Sequence, residues 1–265
     1  MKRKCLAAAV VTLAALTIMS SSAVASEDEW EFGIGTGFFA LNIDGDTGFT
    51  TALGPVDLEA ELDTSEIQDL LDSAAGLGGY ATKGKWMIQY SAGQLKLEDT
   101  VSGTGPLGNP ASATASFTGT SAEFSAAYRF ALTGKHAWSV LGGVRYIKHE
   151  YDFDLSIDND PPNPPATLTR NIDQNWTDGL VGLTHGTRLG DKWSWSNRLD
   201  AGFGGSEGTY FFKTSFAWQV AKSWALGFYA QNMAIEFEND NRGDADWYLY
   251  DANEFGAGFN VLYTW

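Results

Sequence analysis

Hydrophobic and polar residues alternate in twos along most of this chain, and short lysine-bearing turns punctuate the alternation. In "SFAWQVAKSWALGFYAQ", Phe216, Trp218 and Val220 share one face before a turn, and Trp224, Leu226 and Phe228 share one face after it. Ser215, Ala217, Gln219, Ala225, Gly227, Tyr229 and Gln231 make the opposite face. A period of two is the period of a β-strand, so the stretch reads as a hairpin with one apolar side. Ala122, Phe124, Ala126, Tyr128 and Phe130 repeat the pattern, as do Trp138, Val140, Gly142, Val144 and Tyr146, then Val181, Leu183, His185 and Leu189. The turns also repeat: "TKGKW" (82–86), "TGKHAW" (133–138), "LGDKWSW" (189–195) and "VAKSW" (220–224) each place a Trp shortly after a lysine.

The two faces are unlike those of a soluble sheet. Between the apolar positions lie mostly Gly, Ser, Ala and Thr with a few charges, which is too sparse for a water-facing surface. A transmembrane β-barrel inverts the usual order, turning its apolar face to lipid and its polar face to the lumen, with aromatic rings at both water interfaces. The repeated Lys-turn-Trp then marks one interface, with Trp86, Trp138, Trp193, Trp195 and Trp224 as its aromatic girdle.

The expected fold is therefore all-β, a transmembrane antiparallel β-barrel of about ten strands. They fall near 29–43, 74–82, 85–98, 115–132, 136–154, 168–189, 192–203, 209–221, 223–237 and 248–265. Residues 99–112, 156–167 and 238–251, with a shorter 204–208, read as outer loops. Within 44–73, "PVDLEAELD" sets Val56, Leu58, Ala60 and Leu62 against Asp57, Glu59, Glu61 and Asp63. A short helix near 64–72 follows, with Ser65 and Gln68 as a capping box and Ile67, Leu70 and Leu71 at helical spacing. This insertion is left as a plug or lid; two extra strands here would make twelve, and failure of the weak strand at 74–82 would leave eight.

The N-terminus stands apart. "MKRKC", an apolar run "LAAAVVTLAALTIM" and "SSAVAS" read as a secretory signal peptide, residues 1–25, leaving 26–265 as the barrel domain. Its Cys5 is the one cysteine, so the exported chain carries no disulfide. Without Lys2, Arg3 and Lys4 the chain has 14 basic against 33 acidic residues, a formal charge of −19, which argues against a nucleic-acid partner. No apolar run beyond the signal reaches 10 residues, so no transmembrane helix is expected.

Candidate chemistry sits on the polar face. Glu123, Arg129, Arg145, Arg188, Arg198, Asp200, Lys213 and Glu254 form an expected lumen polar cluster, read chiefly as mutual pairing in a filled interior and otherwise as the lining of a narrow path. His136 falls in an inner turn and His185 on the lipid side. His149, beside Glu150, is the histidine placed for outer-leaflet chemistry, but no serine nucleophile accompanies it. "NDNRGDAD" (239–246) lacks the spacing of an EF-hand, and its "RGD" reads as coincidence. No enzyme activity, cofactor or metal site is expected.

The stretches "VDLEAELDTSEIQDLLDS", "TKGKW", "WSVLGGVRY", "WTDGLVGLTHGTRLGDKWSWSNRLDAGFGG" and "GFNVLYTW" resemble small Gram-negative outer-membrane barrels of the broad OmpA/OmpW-like class. More narrowly, they resemble a family of outer-membrane barrel proteins with no defined activity. The resemblance implies the cell outer membrane, lipid and lipopolysaccharide around the wall, and a barrel-insertion machinery that reads the last strand. Phe259, Val261, Tyr263 and Trp265 match that C-terminal insertion signal, with Trp in place of the commoner Phe and Asn260 where glycine is frequent. The function expected is structural or that of a narrow, porin-like passive pore for small solutes. Surface recognition through the acidic outer loops is the alternative, and outer-membrane lipid modification a further one.

Overall fold

A computed structural model describes residues 29–51, 54–104, 110–157 and 166–265; the expected signal peptide lies outside them. The elements are β1 (Glu31–Thr51), β2 (Gly54–Glu59), α1 (Thr64–Leu70), β3 (Leu71–Lys83), β4 (Trp86–Thr104) and β5 (Pro110–Thr133). They continue as β6 (His136–Ile157), β7 (Ala166–Arg188), β8 (Trp193–Phe203), β9 (Gly208–Ala221), β10 (Trp224–Asn239) and β11 (Tyr248–Thr264). From β3 to β11 each strand pairs antiparallel with the next, and β1 bridges β3 and β11. Among the described residues ten strands thus close a ring, and β2 pairs with β1 alone.

The lysine turns all lie at one end of the ring, together with the start of β1 and the end of β11. Two of them are two-residue connections opening on glycine, Gly84 with φ 56 and Gly134 with φ 62, a backbone region that other residues enter only at a cost. The opposite end is uneven. β4 with β5, and β6 with β7, rise as long hairpins through stretches expected to be loops: β4 runs to Thr104 and β5 begins at Pro110, while β6 runs to Ile157 and β7 begins at Ala166. The β8–β9 hairpin stops much lower, at Phe203 and Gly208.

Along each long strand the apolar face changes sides. On β6, Trp138, Val140 and Val144 point outward and are exposed, but farther along Ile147 and His149 are buried inside while Lys148 and Glu150 form an ion pair on the outer face. On β10, Phe228 is outward, then Met233, Ile235 and Phe237 are buried and Glu236 and Glu238 are exposed. On β4, Trp86 and Tyr90 are outward, then Leu95 and Leu97 are buried with Lys96 between them, paired to Asp72 and Glu98. The strands do not rotate; the sequence shifts its apolar residues by one position, which moves them to the other face. The turn-end half is therefore greasy outside, and the far half, here called the crown, is greasy inside and charged outside. The expectation of one continuous polar inner face is corrected for the crown.

Residues 44–73 build wall. β1 extends to Thr51 rather than ending near 43, because glycines let β11 approach: a Cβ at Gly45 would meet Asp251 O at 2.1 Å. β1 pairs β3 only over Glu31–Gly35 and β2 only over Asp46–Thr51. Between them the linker after β2 bonds to β1 through Ala60 N to Gly45 O and the reciprocal Ile43–Leu62 bridge. Helix α1 packs against β1 and β4 beside this seam, burying Ile67 among Leu41, Ile43 and Leu97. Its capping box is Asp63 with Glu66, two residues before the expected Ser65 and Gln68. Thr64 fixes that start, since its hydroxyl donates to Leu41 O at 2.9 Å and its N–H to Asn42 Oδ1 at 3.0 Å.

Where the β8–β9 hairpin stops short, β7 and β10 lean together. Trp176 stacks on Phe237 at 4.1 Å, and Asn239 donates to Gln174 at 3.0 Å. Asp178 at the base of this gap is fully buried and accepts from Gly205 N, Ser206 N and Ser206 Oγ, so it caps the short hairpin.

Candidate functional site

The ring encloses two layers of side chains. The layer midway along the barrel is ionic. Register puts Glu123 of β5 opposite Arg145 of β6, and Arg198 of β8 opposite Lys213 of β9. Arg145 donates to Glu123 Oε2 from Nε at 3.2 Å and Nη2 at 2.8 Å, and reaches across the lumen to Asp200 Oδ1 at 3.0 Å. Arg198 pairs with Glu123 Oε1 at 2.7 Å and Asp200 Oδ2 at 2.6 Å. Phe211 lies beneath both guanidiniums, each 5.2 Å from its ring centre, and Lys213 Nζ sits 4.0 Å over Tyr229. Arg198 and Lys213 are each only 1% exposed, and a guanidinium so deeply buried is tolerable only when paired as closely as Arg198 is with Glu123 and Asp200.

Of the eight charges expected in the lumen, the structure brings Glu123, Arg145, Arg198, Asp200 and Lys213 into this layer. Glu254 is buried just above it, accepting from Tyr250 OH at 2.9 Å. Arg129 stays at the turn end, half-buried, donating to Gly84 O at 3.0 Å. Arg188 is exposed at the end of β7, away from the layer.

Above the ions the crown is filled by an apolar core that includes Phe39, Leu41, Leu95, Ile147, Trp176 and Ile235. Sequence reasoning missed it, although the shift in parity is visible in "WMIQYSAGQLKLED", where apolar residues move from even to odd positions. His149 belongs to this core. It is not at the outer surface beside Glu150; its Nδ1 is 2.8 Å from Tyr248 OH, and Phe117, Trp176 and Tyr250 surround its ring. A lumen void between Leu41, Ile147 and Glu254 has a volume of about 10 Å³, room for roughly one water.

Two larger recesses lie in the crown. One of about 240 Å³ opens on the inner face of the long hairpins between Asp99, Val101, Phe153 and Arg170. The other, about 210 Å³, lies under the β2–α1 linker, with Leu58 and Leu62 above and Phe117, Tyr151 and Tyr250 below. The "NRGD" arginine is engaged: Arg242 pairs with Asp57 of β2 and lies 5.6 Å over the ring of the buried Trp247. Asp63 caps α1 at an exposed position, and hydrogen bonds from the Ser65 side chain and the Glu66 and Ser65 backbone hold its carboxyl below the usual range.

The remaining expected residues lie on the outer face of the turn-end half. Trp86, Trp138, Trp193 and Trp224 are exposed beside the turns and Trp195 is half-buried. Phe259, Tyr263 and Trp265 are exposed along β11 with Val261 half-buried between them. His185 is on this face too, its Nε2 3.1 Å from His136 Nδ1 and its ring 4.5 Å from Trp138.

No family model matches the chain, and no curated protein matches it. Among solved structures it is similar to the translocator domain of the autotransporter NalP from Neisseria meningitidis, with 8% identity over 89% of this chain and 88% of that one and a TM-score of 0.42. It is also similar to Ail of Yersinia pestis, solved with a heparin analogue, at 7% identity over 89% and 99% of the two chains and a TM-score of 0.32. A FadL homologue from Pseudomonas aeruginosa is similar at 8% identity over 90% of each chain, again with a TM-score of 0.32. Likeness of this degree bears on neither ligand nor activity; the closed antiparallel ring rests on this chain's own strand registers.

Proposed function

We propose that this chain is an integral outer-membrane β-barrel with a structural role, its lumen closed and its crown presented at the cell surface. The carrying observation is the lumen itself, crossed by a paired ionic layer and then by an apolar core. Such a filling opposes passive solute flow, which needs a wetted path. The outer surface supports the membrane setting. On β6 the apolar belt runs from Trp138 to Tyr146, which at about 3.3 Å per residue and about 40° of tilt covers roughly 20 Å. Outer-membrane barrels carry an apolar band of about 25 Å. Tryptophans beside the lysine turns bound the belt on one side, and the Lys148–Glu150–Asp173 group bounds it on the other.

In this reading lipid and lipopolysaccharide solvate the belt, a signal peptide exports the chain, the Trp residues act as an interfacial girdle, and an insertion machinery reads Phe259 to Trp265. The resemblance to the OmpA/OmpW-like class agrees with it, and no catalytic role is assigned. Membrane fractionation tests the location. Planar-bilayer recording of the refolded protein tests the closed lumen: absence of stable unitary openings is expected, and reproducible ohmic steps would replace this reading with the pore.

A further inference from the structure

We infer that the recess under the β2–α1 linker is a binding site for a small, uncharged, largely apolar molecule that carries one hydrogen-bonding group. The size follows from volume. An apolar cavity of about 150 Å³ suffices for benzene, so about 210 Å³ holds a molecule of roughly eight or nine non-hydrogen atoms. Leu58 and Leu62 above, and Leu97 and Phe117 below, present hydrocarbon to it. The polar lining comes from Thr47 and Tyr151, whose hydroxyls are in contact, with Tyr151 OH also 3.3 Å from Tyr248 OH, so one polar group of a ligand meets hydroxyls there. The neighbouring Tyr250 hydroxyl is engaged by Glu254 at 2.9 Å.

Charge narrows the class further. Glu59 and Glu61 border the recess, and the chain's formal charge is −16, so an anionic ligand meets a repelling field. The site ends blindly, since the lumen void beneath it has only about 10 Å³. A molecule that enters is held, not passed on. Entry has a door: the linker's backbone bonds go to β1, at Ala60 N to Gly45 O and Leu62 N to Ile43 O. Across from it, β4 pairs with β3 only as far as Leu97, and among the described residues its continuation to Thr104 pairs with β5 alone. The slot between linker and β4 can thus widen without breaking a ladder.

The test is calorimetric titration of indole into the folded full-length barrel in detergent micelles. Indole is neutral, of matching size, and has a single N–H. We expect saturable one-to-one binding, weakened by roughly tenfold or more when Ala60→Trp fills the recess and unchanged when Ala115→Trp fills the other crown recess. Indole-3-acetate should bind at least about tenfold more weakly than indole. Phe117→Ala should shift preference from indole to the larger 2-naphthol, a change in size selection that a merely loosened fold would not give. If Ala60→Trp does not fold, Phe117→Ala decides. No saturable heat with indole, equal affinity in a folded Ala60→Trp protein, equal weakening by Ala115→Trp, or unchanged size preference in Phe117→Ala would each overturn the site. These outcomes are independent of the bilayer recordings, which concern the lumen below.

Discussion

Glu123 is the carboxylate on which the ionic layer turns. It accepts two bonds from Arg145, at 3.2 and 2.8 Å, and pairs with Arg198 at 2.7 Å. Around it stand two guanidiniums, Arg145 and Arg198, against itself and Asp200. Glu123→Gln keeps the shape but leaves those two guanidiniums facing one carboxylate. Charge-assisted bonds contribute about 1.5–3 kcal/mol each. Breaking a buried network by removing one partner costs about 3–5 kcal/mol. Since the glutamine oxygen still accepts one bond, about 3–5 kcal/mol is the expected loss rather than the sum of three bonds. Arg198→Met should cost less, because a carboxylate left in excess can take up a proton whereas a guanidinium cannot shed one. The double variant should be more stable than the two single losses added together, with a coupling of about 0.5–3 kcal/mol. Urea unfolding in micelles, followed by tryptophan fluorescence and by heat-modifiable gel migration, measures all three. A Glu123→Gln barrel that unfolds at the wild-type urea concentration would mean that water fills this layer, and the closed lumen would lose its basis.

Three further outcomes are expected. Phe228, outward and ringed by Phe216 and Phe259 on its neighbours, should tolerate lysine poorly, at about 2–4 kcal/mol in liposome refolding, whereas Glu236→Lys farther along the same face should stay within about 0.5 kcal/mol. Trp176→Ala removes the stack on Phe237 and should cost about 3–5 kcal/mol, with hydrogen exchange rising in the upper parts of β7 and β10 before the turn end. Asp63→Ala should speed exchange in α1 near neutral pH. Because the folded Asp63 carboxyl titrates below its ordinary range, its support of α1 is complete above that range and lost as pH falls through the lowered value, so wild type and variant should converge in acid.

How much of this was legible in the sequence depends on length of signal. The turn-end half was, because large apolar residues recur on one parity at three to five positions in each of β5, β6, β9 and β10. The crown was not, since each strand carries only two to four apolar residues of the opposite parity, as Met233, Ile235 and Phe237 do, too few to separate from noise. The expected β1 ends near 43, whereas the close approach of β11 that carries it on through Gly45 is a tertiary fact. Ser65 with Gln68 is the expected capping box, but Asp63 with Glu66 forms it, and the bonds from Thr64 to β1, a tertiary contact, fix that start. Arg129 and Arg188 share parity with the ionic layer; parity assigns a face but not a height along the axis.

The low β8–β9 hairpin has a geometric consequence. In the belt ten staves stand side by side, but above it β8 and β9 have ended and β2 replaces β3, so the upper rim is formed by β1, β2, β4, β5, β6, β7, β10 and β11. Ten closed staves leave slack that long, extended groups must take up, while above them the loss of β8 and β9 lets β7 and β10 close in through Trp176 and Phe237. The tapering cask therefore dictates its own contents: guanidinium and lysine arms where the hoop is wide, compact hydrocarbon where it narrows.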